Sequence, residues 1–226
     1  MEISNSDSLL VHAGTVFDLV WRFDFTTPGF AVLDVGSVVD SHTLRAWMVA
    51  LKERLSEIGV RRFGKSFVYR FLSRFDQQVT TKFHLDGAPA ESLLMLGYES
   101  TRVRSRLFLT DYTRAAFDLD ISPQQFLADY NPMYVKGEEC LAKYVTEVPQ
   151  PTDGHSRIVL INNSSLPFTD DRTNPLGVMH KAMIVTPDDT ERRIVNSMML
   201  TVGGEEIGVD PQIEFVSTDE ISQRTY

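Results

Sequence analysis

Val79-Thr80-Thr81-Lys82-Phe83-His84-Leu85-Asp86 is the stretch on which the reading of this chain turns. Its β-branched opening and the polar–apolar alternation from Lys82 onward predict a strand. Residues two apart on a strand share a face, so His84 and Asp86 are expected to project together with Lys82, with Phe83 and Leu85 opposite. The Cα atoms of His84 and Asp86 would stand roughly 6.5 to 7 Å apart, a gap that an imidazole and a carboxylate can close around one ion. In that setting a His-x-Asp pair is a two-point clamp for a metal.

Similar short segments surround this stretch. Gly29–Val35, Ser66–Phe75, Ser92–Tyr98, Ser105–Leu109, Arg157–Asn162, Gly177–Thr186, Arg192–Val202 and Gln212–Val216 all read as strands bounded by turn residues, Pro187-Asp188-Asp189-Thr190 being the plainest turn. Helices are expected from Asp40-Ser41, whose oxygens cap a stripe of Leu44, Trp47, Met48, Leu51, Leu55 and Ile58 ending at Gly59, and over Tyr112–Phe117 and Ser122–Tyr130. About eight or nine short strands without regular helical alternation predict a mainly β domain with flanking helices, of the sandwich, barrel or jelly-roll kind. One domain over residues 1–226 is expected, with 1–25 as its lead-in and Ser164–Pro175 as a long polar loop able to act as a lid.

Composition narrows the function. The chain has 226 residues, 42% apolar and 23% charged, as ordinary globular proteins do. A formal charge of -9 and no basic run remove the electrostatic footprint of a nucleic-acid partner. The polar, acidic Met1–Leu10 is unlike a secretory signal and no run reaches the length of a membrane span, so a cytoplasmic location with no membrane partner is expected. Cys140 is the only cysteine, which excludes an internal disulfide and a cysteine zinc cluster, and its neighbours Glu138 and Glu139 disfavour a thiolate nucleophile.

A third ligand from a distant strand would complete one face of an octahedral site and leave other positions open. His180 is the candidate. His155, at a strand entrance beside Gly154, is its rival; His12 lies in the lead-in, and His42 sits in the first turn of a helix, where capping or solvation is the ordinary role. The plain alternative for His84 and His180 is a pair of half-buried strand histidines satisfied by backbone carbonyls. Downstream, Arg192 and Arg193 must point to opposite faces of their strand; Arg193 aligns with Val195, Ser197 and Met199, Arg192 with Ile194 and Asn196, and both faces are mixed. A guanidinium turned inward would grip a carboxylate through two parallel hydrogen bonds.

His-x-Asp, a long interval, a lone His and an Arg some ten to fourteen positions later resembles the pattern of the Fe(II)- and 2-oxoglutarate-dependent dioxygenases. Glu191-Arg192-Arg193-Ile194-Val195 is similar, more distantly, to a stretch of the taurine dioxygenase branch, and Pro28-Gly29-Phe30-Ala31-Val32-Leu33 before a capped helix resembles the superfamily's lead-in. The resemblance implies a double-stranded β-helix (a cupin-like jelly roll) with Fe(II) held by His84, Asp86 and His180, and 2-oxoglutarate as co-substrate with its distal carboxylate on Arg193. Ser105 or Arg106 is the implied hydroxyl or cationic second contact to the co-substrate. It further implies an enzyme that couples decarboxylation to succinate and carbon dioxide with oxidation of a small-molecule substrate. Hydroxylation or desaturation is favoured over halogenation, because Asp86 fills the position a halide would need. Two other readings stay open: a cupin-like metal enzyme that does not use 2-oxoglutarate, and a non-catalytic jelly-roll module whose histidines are structural.

Overall fold

In the computed structural model, residues 1–3, 5–37, 39–203 and 209–222 are described. Along the chain they form α1 (Ser6–Val20), β1 (Phe30–Gly36), α2 (Ser41–Phe63), β2 (Phe67–Asp76), β3 (Ser92–Tyr98), β4 (Arg104–Thr110), α3 (Tyr112–Asp118), α4 (Pro123–Asp129), α5 (Val135–Leu141), β5 (Val145–Val148), β6 (Ser156–Asn162), β7 (Met179–Thr186), β8 (Ile194–Val202) and α6 (Val209–Ser217). The strands make two antiparallel sheets, a large one in the order β1-β6-β3-β8-β2 and a small one in the order β5-β4-β7. The architecture is therefore mixed α+β, with antiparallel sheets as its centre.

Side-chain alternation sorts the core into layers. On β3, Leu93 and Met95 pack with α1 and α2, while Leu94, Leu96 and Tyr98 face the small sheet; on β6, Ile158 and Leu160 take the helical side and Val159 and Ile161 the inner one. A third cluster, with Tyr112, Phe126 and Leu141 of α3, α4 and α5, covers the outer face of the small sheet around Met179. Helices thus cover both outer faces, and β3 and β6 are buried throughout. This explains why their sequences read as continuous apolar runs rather than as alternating strands. No helix among the described residues is long and apolar enough to cross a membrane.

Several expectations need correction. Gln212–Val216 is not a strand: it lies in α6, where Phe215 docks on the first core cluster while Ile213 stays exposed, and five residues are too few for periodicity to separate the two. Ser6–Val20, read only as a lead-in, is a helix opened by Asn5, whose side chain accepts from the Ser8 N–H at 2.8 Å. The expected strand Val79–Asp86 is an irregular segment joined to β7 by one isolated bridge, His84 to His180. Its threonines explain the break: the hydroxyls of Thr81 and Thr80 accept from the Ala182 and Ile184 N–H groups, at 3.0 and 2.9 Å, where a ladder would have offered carbonyls.

Gly59 does not stop α2 either. The helix opens as expected on Asp40, which accepts from the Thr43 N–H at 2.8 Å, but runs on to Phe63 and ends at Gly64 in the left-handed region, φ 67°. Gly59 is instead a close approach: a Cβ there would lie 2.6 Å from the Lys65 carbonyl oxygen. Helix propensity alone would make Gly59→Ala stabilising by about 1 kcal/mol, whereas crowding of this kind costs about 1–3 kcal/mol. A net loss of stability in urea unfolding is expected, and a gain would show that the contact relaxes freely.

Candidate metal centre

The site begins with backbone. His84 N–H donates to the His180 carbonyl and His180 N–H to that of His84, each at 3.1 Å, so the two residues face each other as a hydrogen-bonded antiparallel pair. Phe83 and Leu85 pack into the outer cluster with Met179, which turns the neighbouring His84 and His180 toward the space between the sheets. Their ring centroids stand 4.2 Å apart, with the ring planes at 47°. The two histidines thus face each other although the expected strand around His84 is reduced to this one bridge.

Asp86 is held by other means. Asn163, buried just beyond β6, accepts from the Asp86 N–H at 2.9 Å and donates to its carbonyl at 3.0 Å, so one amide clamps both backbone groups of the residue. The Asn163 side chain also donates to Ser92 Oγ at 3.0 Å, which ties the clamp to the start of β3. With the backbone so fixed, Asp86 Oδ1 lies 3.4 Å from His84 Nε2. Lys82 departs from the expected shared face: it donates to Glu138 of α5 at 2.8 Å, as Lys181 does at 2.6 Å. Those two bonds, that from Lys181 first, hold the Glu138 carboxyl below its ordinary range.

One ligand atom each from His84, Asp86 and His180 lies within 4.8 Å of the other two. Donors about 2.1 Å from one ion and at right angles stand roughly 3 Å apart, so small side-chain rotations suffice to close the set. The tautomer suits a metal as well. His84 Nδ1 lies 2.7 Å from the Lys82 carbonyl oxygen, which can only accept, so the neutral ring carries its proton there and its lone pair on Nε2. His180 is buried and the other two are half-buried, a partly desolvated setting. The donor set fits a divalent transition ion.

The remaining candidates separate cleanly. His155 pairs with Asp34 at 2.8 Å, outside this cluster, and His42 lies 3.1 Å from Asp219. Arg192 is exposed and Arg193 is 2% exposed, immediately ahead of β8. Arg193 Nε donates to Ser105 Oγ at 2.9 Å and Nη1 to Gln77 Oε1 at 2.7 Å, while Nη2 has no hydrogen-bond partner among the described residues. Ser105 therefore orients the guanidinium, and Arg106 is engaged by Glu147 at the surface. Arg193 and Ser105 line a cleft of about 930 Å³ whose lining does not include His84, Asp86 or His180. Asn163 and Gln77 were not legible as site residues, since lone amides carry no spacing signal.

No protein-family model matches the chain, and none of the curated proteins does. Among solved structures it is similar to a tryptophan-to-phenylalanine variant of NvfI, an iron and alpha-ketoglutarate-dependent endoperoxidase, with 12% identity over 82% of this chain and 80% of that one and a TM-score of 0.39. A likeness of that size leaves fold and function to the chain's own residues.

If Asn163 positions a ligand, Asn163→Ala weakens cobalt(II) binding by about 10- to 100-fold, the usual effect of losing an outer support. The visible absorption of bound cobalt reads this out, and an unchanged affinity would show that Asp86 needs no such clamp.

Proposed function

We propose that the protein is an iron(II)- and 2-oxoglutarate-dependent oxygenase that hydroxylates a small molecule, with His84, Asp86 and His180 as iron ligands and Arg193 as partner of the co-substrate's distal carboxylate. The convergence of the three donors carries this reading. Two imidazoles and one carboxylate with further positions open is the donor set of non-haem iron oxygenases, whereas structural zinc sites close with four protein ligands. A ferrous ion bound there would supply oxygen activation coupled to decarboxylation of 2-oxoglutarate to succinate and carbon dioxide.

The chain's own residues would do the rest. His84 keeps its proton on Nδ1 through the Lys82 carbonyl, so Nε2 stays a donor without a proton transfer. Asn163 orients Asp86. Arg193, fixed by Ser105 and Gln77, keeps Nη2 for a carboxylate oxygen, and a buried guanidinium is suited to that because it stays charged when desolvated. The loop 164–175, tied down where Tyr112 Oη donates to the Ser164 carbonyl at 2.7 Å, is the segment we assign to excluding water.

Strand order supports a double-stranded β-helix as the framework. Successive segments alternate between the sheets: β2 in the large one, residues 81–84 beside β7 of the small one, β3 in the large, β4 and β5 in the small, β6 in the large, β7 in the small, β8 in the large. A competing reading, a jelly-roll metal enzyme that makes no use of 2-oxoglutarate, is favoured by one observation. The cleft that Arg193 lines leaves out the three donors.

Anaerobic addition of Fe(II) and then 2-oxoglutarate separates the two readings. A weak visible charge-transfer band is expected, absent in Asp86→Ala. Arg193→Gln should raise the 2-oxoglutarate requirement of that band by about 100-fold or more, as loss of a buried charged partner does, and Arg192→Gln should leave it unchanged. Stoichiometric iron with no band would establish the metal enzyme without the co-substrate; no iron at all would end both readings.

A further inference from the structure

At the end of β7 away from His180, the cleft lined by Arg193 contains a second buried arginine, Arg157 on β6. The strand between them, β3, carries Tyr98, whose ring lies under both guanidinium groups, 4.9 Å from that of Arg157 and 5.0 Å from that of Arg193. Arg157 and Arg193 are 4% and 2% exposed, and neither makes an ion pair among the described residues. Arg157 Nε and Arg193 Nη2 are buried without a hydrogen-bond partner there, although Arg157 Nη1 does reach the Pro149 carbonyl at 3.2 Å.

Two like charges placed together in a poorly solvated wall, each with a donor unmet, make an arrangement that costs free energy until an anion completes it. Nothing nearby does so. Of the carboxylates on the cleft walls, Glu99 is engaged with Arg74, Glu147 with Arg106 and Glu191 with Arg102, and the exposed Asp153 makes no ion pair with either arginine among the described residues, while Asp34, which also acts on Arg157, is paired with His155. Burial, reinforced by the charge of Arg193, lowers the pKa of Arg157, and the carboxylate of Asp34 only partly offsets this.

We infer that Arg157 and Arg193 together bind one dianion, a dicarboxylate or a phosphomonoester, that enters through this cleft and meets Arg157 Nε and Arg193 Nη2. Arg193 Nη2 is shared with the function proposed above, so this dianion and the co-substrate's carboxylate compete for it, but the site requires no metal, and Arg157 has no part in that function. The cleft, at about 930 Å³, has room for a dianion of either kind.

Calorimetric titration of the metal-free full chain with succinate and, separately, inorganic phosphate tests this at fixed ionic strength, with acetate as the monoanion control. Saturable binding of at least one dianion is expected, weakened about tenfold or more in Arg157→Gln and changed by no more than about twofold in Arg102→Gln at the rim. Binding of succinate alone identifies the dicarboxylate class and of phosphate alone the phosphoryl class, and either outcome sustains the inference. No saturable binding by the unaltered protein, or undiminished affinity in Arg157→Gln, overturns it. Should Arg157→Gln not fold, the melting temperature of the unaltered protein decides: a rise with a dianion but not with acetate supports the site, and no rise refutes it. Metal is absent throughout, so failure of the iron site leaves this result untouched, and failure here leaves metal binding by the three donors intact.

Discussion

The reciprocal pair of backbone hydrogen bonds between His84 and His180 is the contact on which the rest of the candidate centre depends. It joins a segment that lacks regular strand structure to the edge of the small sheet and fixes the relative height of two imidazoles at the backbone, before any side chain is considered. A slip of one residue in that pairing would send His84 to the outer side and bring Phe83 or Leu85 inward, so the packing of those two residues against Met179 enforces the register. The apolar outer cluster therefore does as much to make the site as the ligands themselves. Asn163 completes the arrangement by fixing the third donor from the opposite sheet.

The irregularity of residues 79–86 has a cause and a consequence. Threonine hydroxyls replace carbonyls as acceptors at Ala182 and Ile184, so the ladder reforms only at His84. Released from strand geometry, Lys82 turns to Glu138 rather than toward the ligands. Two positive charges close in sequence to the histidines, Lys82 two residues before His84 and Lys181 next to His180, are both drawn to a carboxylate on α5. An ammonium beside the donor set would repel a cation, so this diversion keeps the centre suitable for a divalent ion.

Most of the strands were legible because alternation and turn residues mark them, and the apolar runs of β3 and β6 fit strands buried on both faces. The His-x-Asp doublet and its partner His180 were legible for a different reason, since metal chemistry demands particular residue types at a fixed local spacing. The choice of Arg193 over Arg192 was not open to periodicity, because both faces of that strand are mixed. Burial decides it, through Tyr98, Ser105 and Gln77 from three other parts of the chain. The same holds for Asn163 and for Arg157, whose roles exist only after the sheets have assembled. Helix α1 does carry its signal in the sequence: Leu9, Ala13, Val16, Phe17 and Val20 recur at helical intervals and are all buried.

Unmet polar atoms also have a pattern. Ser73 and Ser197, directly opposite each other on β2 and β8, share the inner face with Phe75, Val195 and Met199, and their hydroxyls are buried with no partner among the described residues. Arg157 and Arg193 belong to the same inner face. Each such group costs about 1–3 kcal/mol against a satisfied or apolar alternative, so four of them between two sheets constitute a sizeable departure from an otherwise hydrocarbon interior. Local rules are broken in this way where binding rather than stability sets the residue. The helical side also buries charge on α2, Arg45 at 0% and Lys52 at 3% exposure, but there Arg45 bonds to Ser41 and the Thr218 carbonyl and lies 3.8 Å from Glu99, and Lys52 donates to Glu53. The space between the sheets, with the donor set toward one end of β7 and the arginine cleft toward the other, accordingly holds both candidate sites.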